Sequence, residues 1–421
     1  MSDPTLQAQA GFHLMAKPVG AHCNLDCGYC FYLEKEAYYP AGQSHRMSDA
    51  VLEAYVQRYL AAQPTPEAEF TWQGGEPLLM GLAFFERAVA LQKAHARGKQ
   101  VRNTLQTNGV LLDDAWCAFL ARENFLVGIS LDGPRELHDA ARPDKRGRGS
   151  FDAVLAGLKA MQRHGVEFNV LVTVSSSNVA RAREVYGFLK REGVRFIQFN
   201  PVVERVRPAA GESVVQLHFA RPPRWSVPSL ARQDVAAAVT PQSVGAEAYG
   251  DFLISVFDAW RRTDIGQIHV MNFEWALAAW CQLPATTCIF APRCGGAAIV
   301  EHDGSVYSCD HYMYPEYRLG NISNDDPAEL LASAAQSNFG AAKEVSLPRQ
   351  CRECAYRFAC HGECPKNRFI STDAGEPGLN YLCKGYLKYF RQITPAMNRM
   401  AQLLSQGRDA AELMSEQAVG G

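Results

Sequence analysis

Thirteen cysteines in 421 residues constrain this chain more than any other feature of its sequence. Eleven of them fall in two regions, a short one near the N-terminus and a longer one in the last third of the chain. The first residues lack the basic start and apolar run of a secretory signal, and no window approaches the roughly 18 apolar residues of a membrane span. We therefore expect a cytoplasmic protein whose reduced cysteines bind metal rather than form disulfides.

The charge balance argues against two classes of partner. The formal net charge is −2 at pH 7, so no overall field favours nucleic acid or an anionic membrane surface. One local basic run, residues 142–148, is either a solvated loop or a site for a carboxylate or ribose.

Short β-rich runs alternate with amphipathic helical patterns from about residue 11 to residue 203. The runs lie at 13–19, 70–73, 101–106, 125–131, 168–174 and 196–203, and the helical patterns at 51–60, 83–91, 115–120, 154–161 and 180–189. Ser48 and Ser150 are predicted helix N-caps. Six strand–helix repeats predict an α/β fold with a parallel sheet, and they are too few for a complete eight-fold barrel. We expect an open, partial (β/α)6 barrel.

Polar or glycine-rich motifs follow each of the first four predicted strands. They are Cys23–Cys30, Gly74-Gly75-Glu76-Pro77, Thr107-Asn108-Gly109 and Ser130-Leu131-Asp132-Gly133-Pro134. Parallel α/β folds place their chemistry beyond the carboxyl ends of the strands. The four motifs therefore predict one active site at this rim.

Three thiolates spaced Cys23-x3-Cys27-x2-Cys30 can bind three irons of a four-iron cluster from one tight loop. Such a cluster ordinarily takes four cysteines, so one iron is left open to another ligand. The alternatives are a structural zinc site or plain buried thiols. The absence of a nearby fourth ligand at zinc spacing argues against zinc.

Eight later cysteines match the number that two fully ligated four-iron clusters require. They are Cys288, Cys294, Cys309, Cys351, Cys354, Cys360, Cys364 and Cys383. Two zinc sites are the alternative, since Cys-x2-Cys pairs also suit zinc. Of the two remaining cysteines, Cys117 is expected to be a small buried residue in a helix, and Cys281 has no predicted role.

The first cysteine motif, with Tyr29 before its last cysteine, resembles that of the radical S-adenosylmethionine (SAM) superfamily. The later array resembles the SPASM extension of that superfamily, and residues 14–390 as a whole resemble the anaerobic sulfatase-maturating enzymes. The specific features are Leu105-Gln106-Thr107-Asn108-Gly109, Ser130-Leu131-Asp132-Gly133-Pro134, Asp303-Gly304-Ser305-Val306-Tyr307 before Cys309-Asp310, and Arg318-Leu319-Gly320-Asn321-Ile322.

The resemblance implies three 4Fe-4S clusters and bound SAM, which the first cluster splits to a 5′-deoxyadenosyl radical. It assigns one auxiliary cluster to Cys288, Cys294, Cys309 and Cys364, and the other to Cys351, Cys354, Cys360 and Cys383. It implies that SAM contacts Tyr29, Gly74, Gly75, Glu76, Ser130, Arg142 and Val203, although Val203 could equally be a core residue.

The implied reaction oxidises a Cys or Ser of a sulfatase active-site motif to Cα-formylglycine. The base that matches by position is Asp310, for which a turn or capping role is the alternative. The implied partners are an unfolded or nascent sulfatase and a flavodoxin- or ferredoxin-type electron donor, with no nucleic acid and no membrane.

We expect four regions. Residues 1–203 form the radical SAM partial barrel, 204–280 a loop-rich insertion and bridging helix, 281–390 the SPASM domain and 391–421 a helical tail, with one amphipathic helix beyond Pro395.

A SPASM-type ribosomal-peptide maturase that forms thioether or C–C crosslinks is the alternative function. The short sequence before Cys23 leaves no room for the peptide-binding domain that many such maturases carry. A multi-cluster electron carrier is a third possibility, but a carrier has no use for an open iron.

Overall fold

The computed structural model describes residues 11–39, 44–207, 218–219, 221–222 and 238–419. Most of residues 204–245, in the predicted loop-rich insertion, lies outside these ranges. The described chain forms two compact units. The first draws on residues 1–130, 142–168 and 295–341, and the second on residues 131–141, 169–294 and 342–421.

Strands and helices alternate through the first half of the chain. The strands are β1 (His13–Lys17), β2 (Glu67–Trp72), β3 (Gln100–Thr107), β4 (Leu126–Ser130), β5 (Glu167–Val174) and β6 (Phe196–Pro201). The helices are α1 (Asp49–Ala62), α2 (Leu82–His95), α3 (Asp114–Arg122), α4 (Arg135–Ala141), α5 (Phe151–His164) and α6 (Ala182–Arg191). All six predicted strands and all five predicted helices are confirmed.

The second half contains shorter elements. They are β7 (Arg205–Arg207), β8 (His218–Phe219), β9 (Ala238–Val239), α7 (Ala246–Thr263), β10 (His269–Val270), α8 (Met271–Trp280), β11 (Ala297–Glu301), β12 (Ser305–Tyr307), β13 (Arg318–Asn321), α9 (Pro327–Ala332), α10 (Ala334–Val345), α11 (Arg349–Arg352), α12 (Arg357–Cys360), β14 (Ile370–Ser371), β15 (Pro377–Leu379), α13 (Cys383–Ser405) and α14 (Glu412–Val419).

The first unit is built on parallel strands in the order β4-β3-β2-β1, extended on the far side of β1 by β11, β12 and β13. β11 pairs with β1 in parallel and β12 and β13 follow as an antiparallel meander. Strand β1 is therefore central, with Lys17 at its carboxyl end in register with Glu301. Residues from the predicted SPASM region thus complete the sheet of the first unit, which sequence analysis did not anticipate.

In the second unit β6 pairs in parallel with β5 and β10. Helices α7 and α13 cross closely at Gly250 and Gly385. A Cβ on Gly385 would lie 1.9 Å from the carbonyl oxygen of Ala246, so no larger residue fits there. Buried tyrosines on both helices, among them Tyr249 and Tyr386, fill the core beside this crossing.

Two local predictions need correction. Ser48 caps α1 by accepting a hydrogen bond from Val51 N at 3.3 Å. Ser150 occupies the N-cap position of α5, as predicted, but its side chain makes no capping hydrogen bond. Its hydroxyl instead donates to the carbonyl of Arg142 at 2.7 Å, so it fixes the preceding basic loop. The predicted single helix beyond Pro395 is also wrong. Helix α13 begins at Cys383 and continues through Pro395, because its apolar face is anchored in the core on both sides of the proline.

Candidate active site

The loop after β1 carries the first three cysteines. Backbone bonds hold its shape: Leu25 N donates to the sulfur of Cys23 at 3.4 Å, and Cys30 N donates to the carbonyl of Cys27 at 3.0 Å. All three thiols are half-buried. Burial raises the pKa of Cys23 to about 11, with a nearby Cys30 thiolate adding to the rise. A bound metal cation would offset the cost of deprotonating these packed thiols, because cysteine binds metal as the thiolate.

The glycine-rich loop after β2 lies directly against the start of the cysteine loop. Gly75 N donates to Gly20 O at 2.8 Å and Glu76 N donates to His22 O at 2.9 Å. A Cβ on Gly75 would lie 1.9 Å from the carbonyl oxygen of His22, so only glycine permits this approach. The second motif is thereby fixed next to the first.

The buried carboxylate of Glu76 joins the glycine-rich loop to the loop after β3. It accepts hydrogen bonds from Leu78 N at 2.9 Å, Thr107 Oγ1 at 2.9 Å and Asn108 N at 2.7 Å. Burial outweighs these bonds and raises the pKa of Glu76 to about 7. Asn108 in turn donates to Asn24 Oδ1 at 2.7 Å, inside the cysteine loop. Three of the four predicted motifs therefore meet in the first unit, and Glu76 acts as their internal link.

Two further predicted contacts, Ser130 and Arg142, also lie in the first unit. Ser130, at the end of β4, accepts a hydrogen bond from Gln106 Nε2 at 3.2 Å. Arg142 is only 7% exposed and its guanidinium carbon lies 5.5 Å from the ring centroid of Tyr29, between Cys27 and Cys30. The basic run therefore begins with a buried arginine beside the cysteine loop and is not simply a solvated loop.

Val203 is placed differently from the other predicted SAM contacts. It follows β6 in the second unit and is 1% exposed. Its burial fits a packing role, which the sequence left open.

Asp310 lies beside the residues that follow Cys30. Its carboxylate is 2.5 Å from the ammonium of Lys17, and that ammonium is 4.6 Å from the ring centroid of Tyr32. The neighbouring His311 ring is 5.1 Å from the ring of Phe31. The loop after β12 and the cysteine loop after β1 are thus in contact, although about 280 residues separate them in the sequence. The Asp310 side chain is partly exposed, although its Oδ1, which pairs with Lys17, is buried.

Sequence analysis missed Lys17 and Glu301. Both are fully buried at the ends of neighbouring strands, and Tyr32 donates its hydroxyl hydrogen to Glu301. A charged residue ending an apolar strand at the active rim is a signal that could have found them, because burying such a charge is costly unless it has a partner or a function.

Four of the later cysteines line one cavity of about 210 Å³ in the second unit. They are Cys351, Cys354, Cys360 and Cys383. Burial and the neighbouring Cys351 and Cys354 thiolates raise the pKa of Cys383 to about 12, and burial likewise raises the pKa of Cys360. Cys383 is the first residue of α13, where the positive end of the helix dipole favours bound negative charge. Four thiols around one cavity fit a four-iron cluster.

The other four proposed ligands are divided between the units. Cys309 belongs to the first, whereas Cys288, Cys294 and Cys364 belong to the second. Burial raises the pKa of Cys294 to about 11, and Cys288 lies near enough to add to the rise. Cys117 is fully buried in α3, as expected for a packing residue, and Cys281 lies at the end of α8.

No three Cys, His, Asp or Glu side chains in the described part of the chain are arranged to hold a single metal ion. A four-iron cluster does not require that arrangement, because each iron takes one thiolate. Among the described residues, no helix has the length and apolar character needed to span a bilayer.

Comparison with known proteins places these observations in a family. The family model for the radical SAM superfamily matches residues 18–189, and the model for an iron–sulfur cluster-binding domain, SPASM, matches residues 288–355. A serine-type anaerobic sulfatase-maturating enzyme from Bacteroides thetaiotaomicron is 44% identical, over 96% of this chain and 94% of that protein. A cysteine-type enzyme from Clostridium perfringens is 31% identical, over 92% and 98%.

The fold agrees with a solved structure of native anSMEcpe with bound AdoMet and Kp18Cys peptide. The two share 30% sequence identity and a TM-score of 0.78, over 93% of this chain and 99% of that one.

Proposed function

This chain belongs to the anaerobic sulfatase-maturating enzymes, and from that membership we propose how its residues divide the work of the reaction. It is a radical SAM enzyme with a SPASM domain that oxidises a Cys or Ser of a sulfatase to Cα-formylglycine. Its cofactors are iron–sulfur clusters and SAM, and its fold is the partial α/β barrel of that family. The alternative of a ribosomal-peptide crosslinking enzyme loses its support.

We propose that the clusters are three in number and that all are of the 4Fe-4S type. Cys23, Cys27 and Cys30 hold the one that binds SAM. One auxiliary set is Cys351, Cys354, Cys360 and Cys383, supported by the cavity that these thiols line. The second auxiliary set is Cys288, Cys294, Cys309 and Cys364. When bound, these groups supply a radical that removes a Cβ hydrogen and an acceptor for the remaining electron.

The SAM site is supported by the contacts around the cysteine loop. Arg142 and Tyr29 lie together there, so the guanidinium is placed to donate charge-assisted hydrogen bonds to a carboxylate or ribose. The backbone of Gly74 and Gly75 packs closely against the start of the same loop, and Ser130 has a hydroxyl available for a hydrogen bond. Glu76 contributes by holding the loops, because its carboxylate already accepts from three donors of the chain. Val203 is proposed as an apolar contact.

Asp310 is proposed as the base that takes the thiol or hydroxyl proton of the target residue. The observation that carries this assignment is its position: a partly exposed carboxylate next to the loop that binds the radical-generating cluster. Lys17 fixes the carboxylate by an ion pair at 2.5 Å. A base must lie within hydrogen-bond reach of the proton it removes, and a fixed carboxylate satisfies that requirement better than a mobile one.

We also propose that the protein acts in the cytoplasm on an unfolded or nascent sulfatase and is reduced by a flavodoxin- or ferredoxin-type donor. The peptide in the related solved structure supports a polypeptide substrate.

The test is anaerobic incubation of the reconstituted enzyme with SAM, a reductant and matched sulfatase-motif peptides. The peptides carry Ser, Cys or Ala at the target position, and mass spectrometry measures formylglycine. We expect product from the Ser or the Cys peptide and none from the Ala peptide. Crosslinked peptide without any aldehyde would contradict the proposal.

A further inference from the structure

Two cations without an assigned role are buried in the second unit. Lys343, near the end of α10, and Arg368, before β14, are both 0% exposed. Lysine and arginine are almost never fully buried unless they are paired, because removing a charge from water is costly. Their positions relative to the cysteines suggest what offsets this cost.

Lys343 is attached to the backbone of a proposed cluster ligand. Its ammonium donates to the carbonyl oxygens of Cys288 and Ile289, both at 2.8 Å. A fixed positive charge therefore lies beside the segment that carries Cys288 and Cys294.

Arg368 lies between that segment and the four-cysteine cavity. Its guanidinium donates to the carbonyls of Lys343 at 2.7 Å and Ser346 at 2.5 Å, and its Nε donates to Gly378 O at 3.0 Å. One of its terminal nitrogens is 3.8 Å from the place that a Cβ on Gly362 would occupy, and Gly362 lines the cavity.

Arg368 contacts both regions. It donates to the carbonyl of Lys343, whose ammonium binds the carbonyl of Cys288, and it lies next to Gly362, which lines the four-cysteine cavity. The buried acid of this region, Glu363, accepts hydrogen bonds from Asn380 and Asn367.

We propose that Arg368 and Lys343 raise the reduction potentials of the auxiliary clusters, with Arg368 acting at both sites and Lys343 mainly at the site containing Cys288 and Cys294. The inference rests on the ligand sets proposed above. An electron added to a buried cluster is poorly screened negative charge, so a fixed cation nearby stabilises the reduced form. When bound, an auxiliary cluster would accept the electron that the substrate radical loses, and Asp310 would take the proton. The two cations make this transfer more favourable.

The competing interpretation is purely structural, since both side chains also bind backbone carbonyls. Pairs of variants separate charge from hydrogen bonding. Arg368→Lys and Lys343→Arg keep the charge, whereas Arg368→Gln and Lys343→Gln keep an amide donor and lose the charge. Arg349→Gln is the matched control, because Arg349 is two residues from Cys351 but 73% exposed, where water and salt screen its charge.

The measurement is an EPR-monitored redox titration of the full-length chain with Cys23, Cys27 and Cys30 replaced by Ala, so that only auxiliary clusters give a signal. Arg368→Gln should lower the ratio of reduced to oxidised cluster at a fixed potential by about tenfold or more at both sites. For a one-electron couple, a tenfold change corresponds to a fall in reduction potential of about 59 mV. Lys343→Gln should lower the reduction potential of the cluster at Cys288 and Cys294 more than that of the other auxiliary cluster. The reduction potentials should remain close to those of the parent chain in Arg368→Lys, Lys343→Arg and Arg349→Gln.

Unchanged potentials in both Gln variants with full iron content would overturn the inference. Loss of iron in all four variants would also count against it and would assign the two cations to folding. A parent chain that retains no auxiliary iron would instead contradict the proposed ligand sets, so the two failures are distinguishable.

Discussion

At the scale of single residues, the ion pair between Lys17 and Asp310 links the proposed chemistry to the sheet. Lys17 ends the central strand β1 and is buried, while Asp310 is partly exposed. An ion pair with one buried partner holds the exposed partner in one orientation, at the cost of desolvating the lysine. The carboxylate is thus positioned by the fold itself, and not only by its own short loop.

Replacing Asp310 separates the catalytic assignment from the turn role. Asp310→Ala should lower formylglycine formation by about two to four decades, the usual range for losing a positioned base, and Asp310→Asn should do little better. Iron content and formation of 5′-deoxyadenosine should persist, because Cys309 and the first three cysteines are unchanged. Mass spectrometry of peptide and nucleoside measures both. Glu316→Gln, an exposed acid of the same segment, is the control. Near-normal product in Asp310→Ala would make Asp310 a turn residue.

Arg142→Ala should weaken SAM binding without changing cluster content. Loss of a charge-assisted hydrogen bond typically costs ~1.5–3 kcal/mol, which corresponds to roughly one to two decades in the dissociation constant. Equilibrium binding to the reconstituted protein gives that constant. Arg148→Ala is the matched control, since Arg148 belongs to the same basic run but is exposed and pairs with Asp144. Equal affinity of the two variants would mean that Arg142 only packs against Tyr29.

At the scale of elements, α13 connects a proposed cluster ligand to the hydrophobic core through one long helix. Cys383 opens it, and buried side chains follow at helical spacing as far as Leu403. Pro395 interrupts the backbone hydrogen bonding on the exposed side, where it has no amide hydrogen to donate to the carbonyl of Arg391. The helix continues because its buried face outweighs this local cost.

Pro395→Ala should therefore stabilise the chain. An interior proline costs about 3 kcal/mol relative to alanine, and replacing it should return part of that cost. Anaerobic denaturant unfolding followed by circular dichroism gives the difference. Asn398→Ala, an exposed position of the same helix, should change the free energy of unfolding by only a few tenths of a kcal/mol. A destabilised Pro395→Ala protein would contradict this and show that the native conformation of α13 depends on its proline.

The elements that sequence predicted well are those with local signals. The strands from His13 to Pro201 show apolar runs bounded by polar loops, and the observed bounds differ from the predicted ones by at most three residues. The strands β11 to β13 were missed because their place in the sheet depends on pairing with β1, far away in the chain. The prediction for α13 failed because a proline usually ends a helix, and only tertiary packing overrides it.

The candidate site likewise combines contacts that local sequence signals predict with contacts that depend on distant strand pairing. Cys23, Glu76 and Asn108 could be placed together because the rim of a parallel sheet collects the loops that follow its strands. The contacts of Lys17 with Asp310 could not, because they join segments through the register of β1 with β11. Spacing alone could not show which later cysteines share a cavity, since that depends on how helices α11, α12 and α13 pack.

At the scale of the whole molecule, the cysteines predict a definite metal content. Anaerobically reconstituted protein should carry about 12 irons per chain, four for each of three clusters. Replacing Cys23, Cys27 and Cys30 with Ala should leave about 8, because the ligands proposed for the auxiliary clusters are separate. That variant should also lose all cleavage of SAM. Iron and zinc analysis on quantified protein gives the numbers.

Cys117→Ala is the matched control, since this buried thiol belongs to no proposed ligand set and its loss should leave all 12 irons in place. Stoichiometric zinc with little iron would contradict the cluster assignment, whereas about 8 irons in the unaltered protein would restrict the count to two clusters.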